Sequence, residues 1–137
     1  MKKVRLILTV LVLGLVTLGQ NLTPTSAAST ITPAFDVTGI WSVGGQDRAQ
    51  FFQEGPEVQY LYINQNYAHY AIGRYISRNE IKVIQTRRNR STGCQTTTEG
   101  ILKVTSATTM TTTGTALDSA CDLSPGPLGS GALTKVL

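Results

Sequence analysis

His69 is the only histidine of the chain, and Cys94 and Cys121 are its only cysteines. One histidine and two cysteines match no zinc spacing. A hydrolytic triad would have to be built on His69, yet no G-x-S-x-G elbow surrounds any serine. Neither a G-x-x-x-x-G-K-[ST] phosphate loop nor a strand-linked G-x-G-x-x-G occurs. Glu54, Glu57 and Glu80 are the carboxylates available for a glycosidase-like pair, but Glu54 and Glu57 flank a turn, where exposure is expected. No catalytic residue, metal site or cofactor is therefore expected, and His69 reads as a solvated strand residue. The chain looks built to bind.

The side chains suited to binding are tyrosines and arginines. Tyr60, Tyr62 and Tyr70 offer apolar bodies with polar tips, and Arg74, Gln85 and Arg87 offer groups that meet a polar or acidic head. Arg74, Arg78, Lys82, Arg87, Arg88 and Arg90 fall within seventeen residues, opposed only by Glu80. Two readings follow: a tyrosine- and arginine-lined cavity for a small amphipathic or anionic ligand, or a basic 74–90 hairpin docking on an anionic surface polymer or a protein partner. Tyrosine stacking with arginine–phosphate contacts is also the chemistry of nucleic-acid binding. The expected compartment argues against that partner.

That compartment is read from residues 1–28. A basic start (Lys2, Lys3, Arg5), an apolar run from Leu6 to Leu18 and small residues at Thr25–Ala28 have the order of a secretory signal peptide. The apolar run is short for a membrane span and no second one follows. A secreted or periplasmic location is expected, with one domain over 29–137. Loss of three of the 12 basic residues leaves 9 against 8 acidic ones, so the basic character of the whole chain carries no message about nucleic acid. In an oxidising compartment two cysteines default to a disulfide.

The elements that would position these residues are strands. After residue 36, short runs of Val, Ile, Tyr, Phe and Thr alternate with Gly, Asn, Pro and Ser clusters every eight to twelve residues, the pattern of an all-β sandwich or barrel. Strands are expected at 38–44, 48–54, 57–63, 67–76, 80–88, 94–105, 108–117 and 131–136. Residues 29–35 read as a flexible lead-in, and Ser124–Gly129, with two prolines, as a loop excluded from any central strand. Short connections imply an antiparallel up-and-down meander.

Centring hairpins on Gly55-Pro56, on Gln65 and on Arg78-Asn79 puts Phe51, Gln53, Val58, Tyr60, Tyr62, Tyr70, Ile72, Arg74, Ile76, Ile81, Val83, Gln85 and Arg87 on one face. Two arginines do not suit a dry core, so that face either lines a wet cavity or is the solvent side; a one-residue slip would invert it. The last hairpin, centred near Ala107-Thr108, pairs residues whose numbers add to 215. Cys94 and Cys121 also add to 215, so they are expected to face each other and bond. Between Thr96 and Thr115 lie ten threonines, and Thr109, Thr111, Thr113 and Thr115 alternate along one solvent face.

Gly39-x-Trp41 opens the first strand. A G-x-W there, followed by an up-and-down series of strands in a small secreted protein, resembles the calycins, the lipocalin- and avidin-like β-barrels. The resemblance implies a closed barrel of about eight strands with Trp41 plugging one end. It also implies that glycine at 39 lets the chain bend into the plug, and that a basic residue from the last strand, here Lys135, lies on the indole. Closure removes exposed sheet edges. An indole on a barrel floor buries a large area and needs one acceptor for its N–H.

Overall fold

The computed structural model describes residues 30–118, 120, 121 and 123–137. The expected leader, residues 1–28, and the expected domain start at 29 lie outside the described residues. Eight strands follow in order: β1 (Gly39–Val43), β2 (Asp47–Glu54), β3 (Glu57–Ile63), β4 (Tyr67–Tyr75), β5 (Glu80–Asn89), β6 (Gln95–Val104), β7 (Thr109–Ala116) and β8 (Gly126–Lys135). Each pairs antiparallel with the next, and β8 returns to β1, so the sheet is a closed barrel. The all-β meander expected from the turn spacing is the fold. Among the described residues no helix is long and apolar enough to cross a membrane.

One end of the barrel is filled. Trp41 is fully buried, and its indole N–H donates to the Val37 carbonyl at 2.8 Å. Phe51, Val58, Tyr75, Ile81, Val104 and Met110 surround it with less than 2% exposure each, so the indole sits on the floor as one piece of a packed core. Gly39 has φ +138°, and a Cβ there would overlap the Leu137 carbonyl oxygen and lie 2.8 Å from Lys135 Cε. Glycine is demanded by both the backbone and the space. Lys135 Nζ lies 5.8 Å from the indole centroid, above its face.

The lead-in is not loose. Phe35 and Ile31 pack against the core, Val37 is fully buried, and the Ala34 N–H donates to the Arg78 carbonyl at 2.7 Å. The Phe35 carbonyl accepts from the Tyr75 hydroxyl at 3.1 Å. The expectation of a flexible segment at 29–35 fails from residue 31 onward because its apolar side chains complete the floor.

The second correction concerns Gly126–Gly129, expected in a loop and found in β8. Thr115 pairs with Pro127 and Ala116 with Gly126, beyond an irregularity at Thr113–Thr115. β8 pairs with β1 only at Leu133–Lys135. Pro127 therefore sits where β8 has a hydrogen-bonded neighbour on one side alone, a place a proline can occupy. The barrel is fully stitched at the floor and parted along β1 and β8 toward the other end.

Candidate functional site

The open end, the mouth, lies where β1 meets β2, β3 meets β4, β5 meets β6 and β7 meets β8. Side chains alternate inward and outward along every strand, so the register decides what the mouth offers. The β2–β3 register is as expected, with Phe51 opposite Tyr60 and Gln53 opposite Val58. The β3–β4 register is shifted by one: Tyr60 faces Ala71 and Leu61 faces Tyr70. Asn64 causes the shift. Its side-chain oxygen accepts from the N–H groups of Asn66 and Tyr67 at 2.9 and 2.8 Å, closing a turn centred between Gln65 and Asn66. The β4–β5 register is also shifted by one, with Tyr75 opposite Ile81.

The two slips invert β4 and then restore β5. Tyr60, Tyr62, Gln85 and Arg87 occupy inward positions as expected. Tyr70 and Arg74, expected beside them, are on the outer face. Tyr70 is half exposed, and Arg74 forms an ion pair with Glu57 at 2.8 Å in the open. In their place β4 turns His69 and Tyr67 inward. His69, expected in solvent, is part of the lumen. Both residues lie on the same β4 alternation as Ala71, Gly73 and Tyr75, so the buried Tyr75 marks the correct face.

A cavity of about 170 Å³ opens above the floor, lined by Val43, Ala49, Phe51, Leu102, Leu133 and, toward the mouth, Tyr60, Tyr62, His69, Gln85 and Thr112. A second space of about 250 Å³ shares Tyr60, Gln85 and Thr112 with it and continues past Gly100, Gly114 and Gly131. A Cβ at Gly100 would lie 2.8 Å from the Thr113 carbonyl oxygen, so glycine there allows close approach of β6 and β7, whereas at Gly114 a side chain would meet only ordinary contacts. Thr96 and Thr98 are the buried polar residues of the adjoining β6 wall.

The polar groups form a directed chain. Burial raises the Tyr60 phenol well above its ordinary pKa, so it stays protonated and donates to Gln85 Oε1. That fixes the amide, and Gln85 Nε2 donates to His69 Nδ1 at 2.9 Å. An imidazole that accepts at Nδ1 and is neutral carries its proton on Nε2. Desolvation, with the positive charge of Arg87 adding to it, lowers the His69 pKa to about 4. The Tyr62 ring lies 4.7 Å from His69 and Tyr67 meets it edge-on at 6.0 Å. The Arg87 guanidinium stacks 3.6 Å over Tyr67. Tyr62 in turn donates to Asp47 Oδ2 at 2.6 Å.

No known protein family, no curated protein and no solved structure matches this chain. The site is therefore read from its own geometry. Among the described residues no three His, Cys, Asp or Glu side chains gather as metal ligands. The arginine-rich 74–90 segment is not one basic surface. Arg87 faces the lumen, Arg74 and Lys82 pair with Glu57 and Glu99 at 2.8 and 3.1 Å, and Arg90 donates to the Asn64 carbonyl at 2.9 Å. Alternation along β4 and β5 distributes these cations over both faces and both ends.

The neutral imidazole has a consequence for stability. In the unfolded chain His69 titrates near 6.5 and in the barrel near 4. Between those values the unfolded state binds more protons, so stability is complete above about pH 6.5 and falls as the pH drops toward 4. The full shift corresponds to about 3 kcal/mol. Partial solvent access of the ring reduces this to about 1–2 kcal/mol. Denaturant titrations between pH 7 and pH 4 should show the loss in the wild type and not in His69→Gln. An NMR titration placing His69 near 6.5 in the folded protein would refute the buried, amide-held imidazole.

Proposed function

We propose that the protein is a non-catalytic binding protein that holds a small amphipathic ligand, acidic or polar at its head, in the mouth of the barrel. The carrying observation is the cavity at Tyr60, His69 and Gln85, apolar below and bordered above by a hydrogen-bonded chain that leaves His69 Nε2–H as its donor. Its volume suits one ring or a short acyl chain, since an apolar cavity of about 150 Å³ accepts benzene. The adjoining glycine-lined space extends the room toward the lower end of ordinary ligand pockets, about 300 Å³. The head group would accept from His69 Nε2–H and sit in the field of the Arg87 guanidinium. The buried Trp41 floor, Gly39 and the lysine over the indole support a calycin-like reading of the same barrel. The disulfide fits an oxidising compartment, in keeping with a secreted or periplasmic protein.

Benzoate, hexanoate and benzylamine make a discriminating set of probes. Titration followed by NMR should perturb Tyr60, Tyr62 and His69 resonances with benzoate or hexanoate, at dissociation constants of about 0.1–1 mM for ligands of this size. Benzylamine, with a cationic head, should bind at least about tenfold more weakly. Arg87→Gln should remove most of that preference. Absence of any lumen perturbation by either acid, or a preference for the amine, would overturn the reading.

A further inference from the structure

The outer face of β2–β5 has no role in the lumen and gathers large apolar side chains in one place. Phe52, Leu61, Tyr70, Ile72 and Ile84 are between 39% and 53% exposed. The pairings make them contiguous: Leu61 is opposite Tyr70, Ile72 is opposite Ile84, and Gln59 bridges Phe52 to Ile72. Ile76 joins them at a hollow of about 350 Å³ lined by Ile72, Ile84, Gly73, Arg74 and Lys82. On β7, by contrast, the outward positions are Thr109, Thr111, Thr113 and Thr115.

We propose that this face is the contact surface for a second copy of the same chain. Large apolar side chains at these exposures leave about 600 Å² of side-chain area open, the upper end of what a monomer exposes in its largest patch, where such patches are often functional. With its charged rim the face approaches the roughly 800 Å² per partner of a stable interface. The rim selects the occupant. Glu57 and Arg74 form one ion pair and Lys82 and Glu99 another, so the border carries both signs in equal number. A neutral rim gives no attraction to an anionic membrane or polymer. Phe52, Gln59, Ile72 and Ile84 stand level across β2–β5. A two-fold axis across β4 through Ile72 therefore lays Ile72, Ile84 and Phe52 each on its counterpart in the other copy and brings Arg74 of one copy over Tyr70 of the other. Such an isologous contact closes at two copies and leaves both mouths open.

Sedimentation of the purified chain over a concentration series tests this. The wild type should associate as a dimer with a dissociation constant in the micromolar range. Ile72→Glu and Ile72→Lys should each weaken the dimer by about tenfold or more, as loss of a central anchor does. Both substitutions are on an exposed side chain, and an unchanged tryptophan emission confirms that the barrel is intact. A mixture of the two variants should restore association through the Glu–Lys contact at the axis. A wild-type chain that stays monomeric across the series overturns the proposal, whatever the variants do. So does a dimer indifferent to Ile72→Glu, which would place the contact elsewhere. So does a monomer that binds neutral lipid vesicles, which would assign the face to lipid.

Discussion

Trp41→Ala should lower the stability of the barrel by about 3–5 kcal/mol, as truncation of a large core aromatic does. The loss has three parts. The indole has no exposure, so its whole apolar area returns to water on unfolding. Its removal leaves a void between Phe51, Val58 and Met110 that the strands, tied by hydrogen bonds on both sides, cannot collapse to fill. The Val37 carbonyl loses its donor in a buried place, an added cost of about 1–3 kcal/mol unless water enters. Denaturant unfolding monitored by circular dichroism measures the change. The same indole should give a blue-shifted native emission that moves to the red on unfolding. A cost under about 1 kcal/mol, or a red native spectrum, would contradict its place on the floor.

Removal of the Cys94–Cys121 bond should cost about 3–4 kcal/mol, the chain-entropy value for a closed loop of this size. The bond joins residues 27 apart in sequence with Cα atoms 5.9 Å apart. It ties the β5–β6 turn to the connection after β7 at the mouth, where β8 has only β7 beside it. At this end the inward positions of β6 and β7 include Thr96, Thr98, Gly100 and Gly114, so the mouth end of the hairpin buries little apolar area and gains proportionally more from the cross-link. Cys94→Ser with Cys121→Ser should lower the denaturant midpoint and speed hydrogen exchange at Thr96–Thr98 and Leu117, whose N–H donates to the Thr97 carbonyl at 3.1 Å. A double variant with wild-type stability and exchange would reduce the bond to an ornament of the loop.

The pairing of the two cysteines was legible, though its geometric reason was not. The β6–β7 register centres on Ala107, so that Thr98 faces Ala116 and paired numbers add to 214. β7 ends at Ala116, and Cys121 reaches its partner from a turn with φ +63°. A directly opposed strand pair was the wrong picture of the right bond. The same one-residue sensitivity governed the site. Composition and turn spacing suffice for the meander because it depends on the existence of turns, which Gly, Asn and Pro mark openly, whereas they fit a sandwich as well as a closed barrel. Which residues face the lumen depends on where each turn is centred, and for β4 that rested on the Asn64 side chain capping the turn rather than on any periodicity. Tyr70 and Arg74 were lost to the outer face by that single residue, and His69 and Tyr67 were gained. In β5 a second slip cancelled the first, so Gln85 and Arg87 were placed correctly on an argument with two errors. The proline of β8 misled for another reason: its strand is a neighbour to β7 alone at that height, and no local signal reveals a missing neighbour.

The three-residue pairing of Leu133–Lys135 with Trp41–Val43 also bears on how such a chain reaches its fold. Seven of the eight pairings join consecutive strands and can zip in order, each turn bringing its own strands together at small entropic cost. The eighth must bring Lys135 to Trp41 across nearly the whole described sequence, and its register of three residue pairs is the shortest in the barrel. Cooperativity across that join is therefore carried by the floor, where Trp41, Leu133 and the Val136 N–H donating to the Ile40 carbonyl at 2.8 Å act together. The join that closes the barrel is thus made at its floor, where Trp41, the largest buried side chain, lies under Lys135 and both end strands meet.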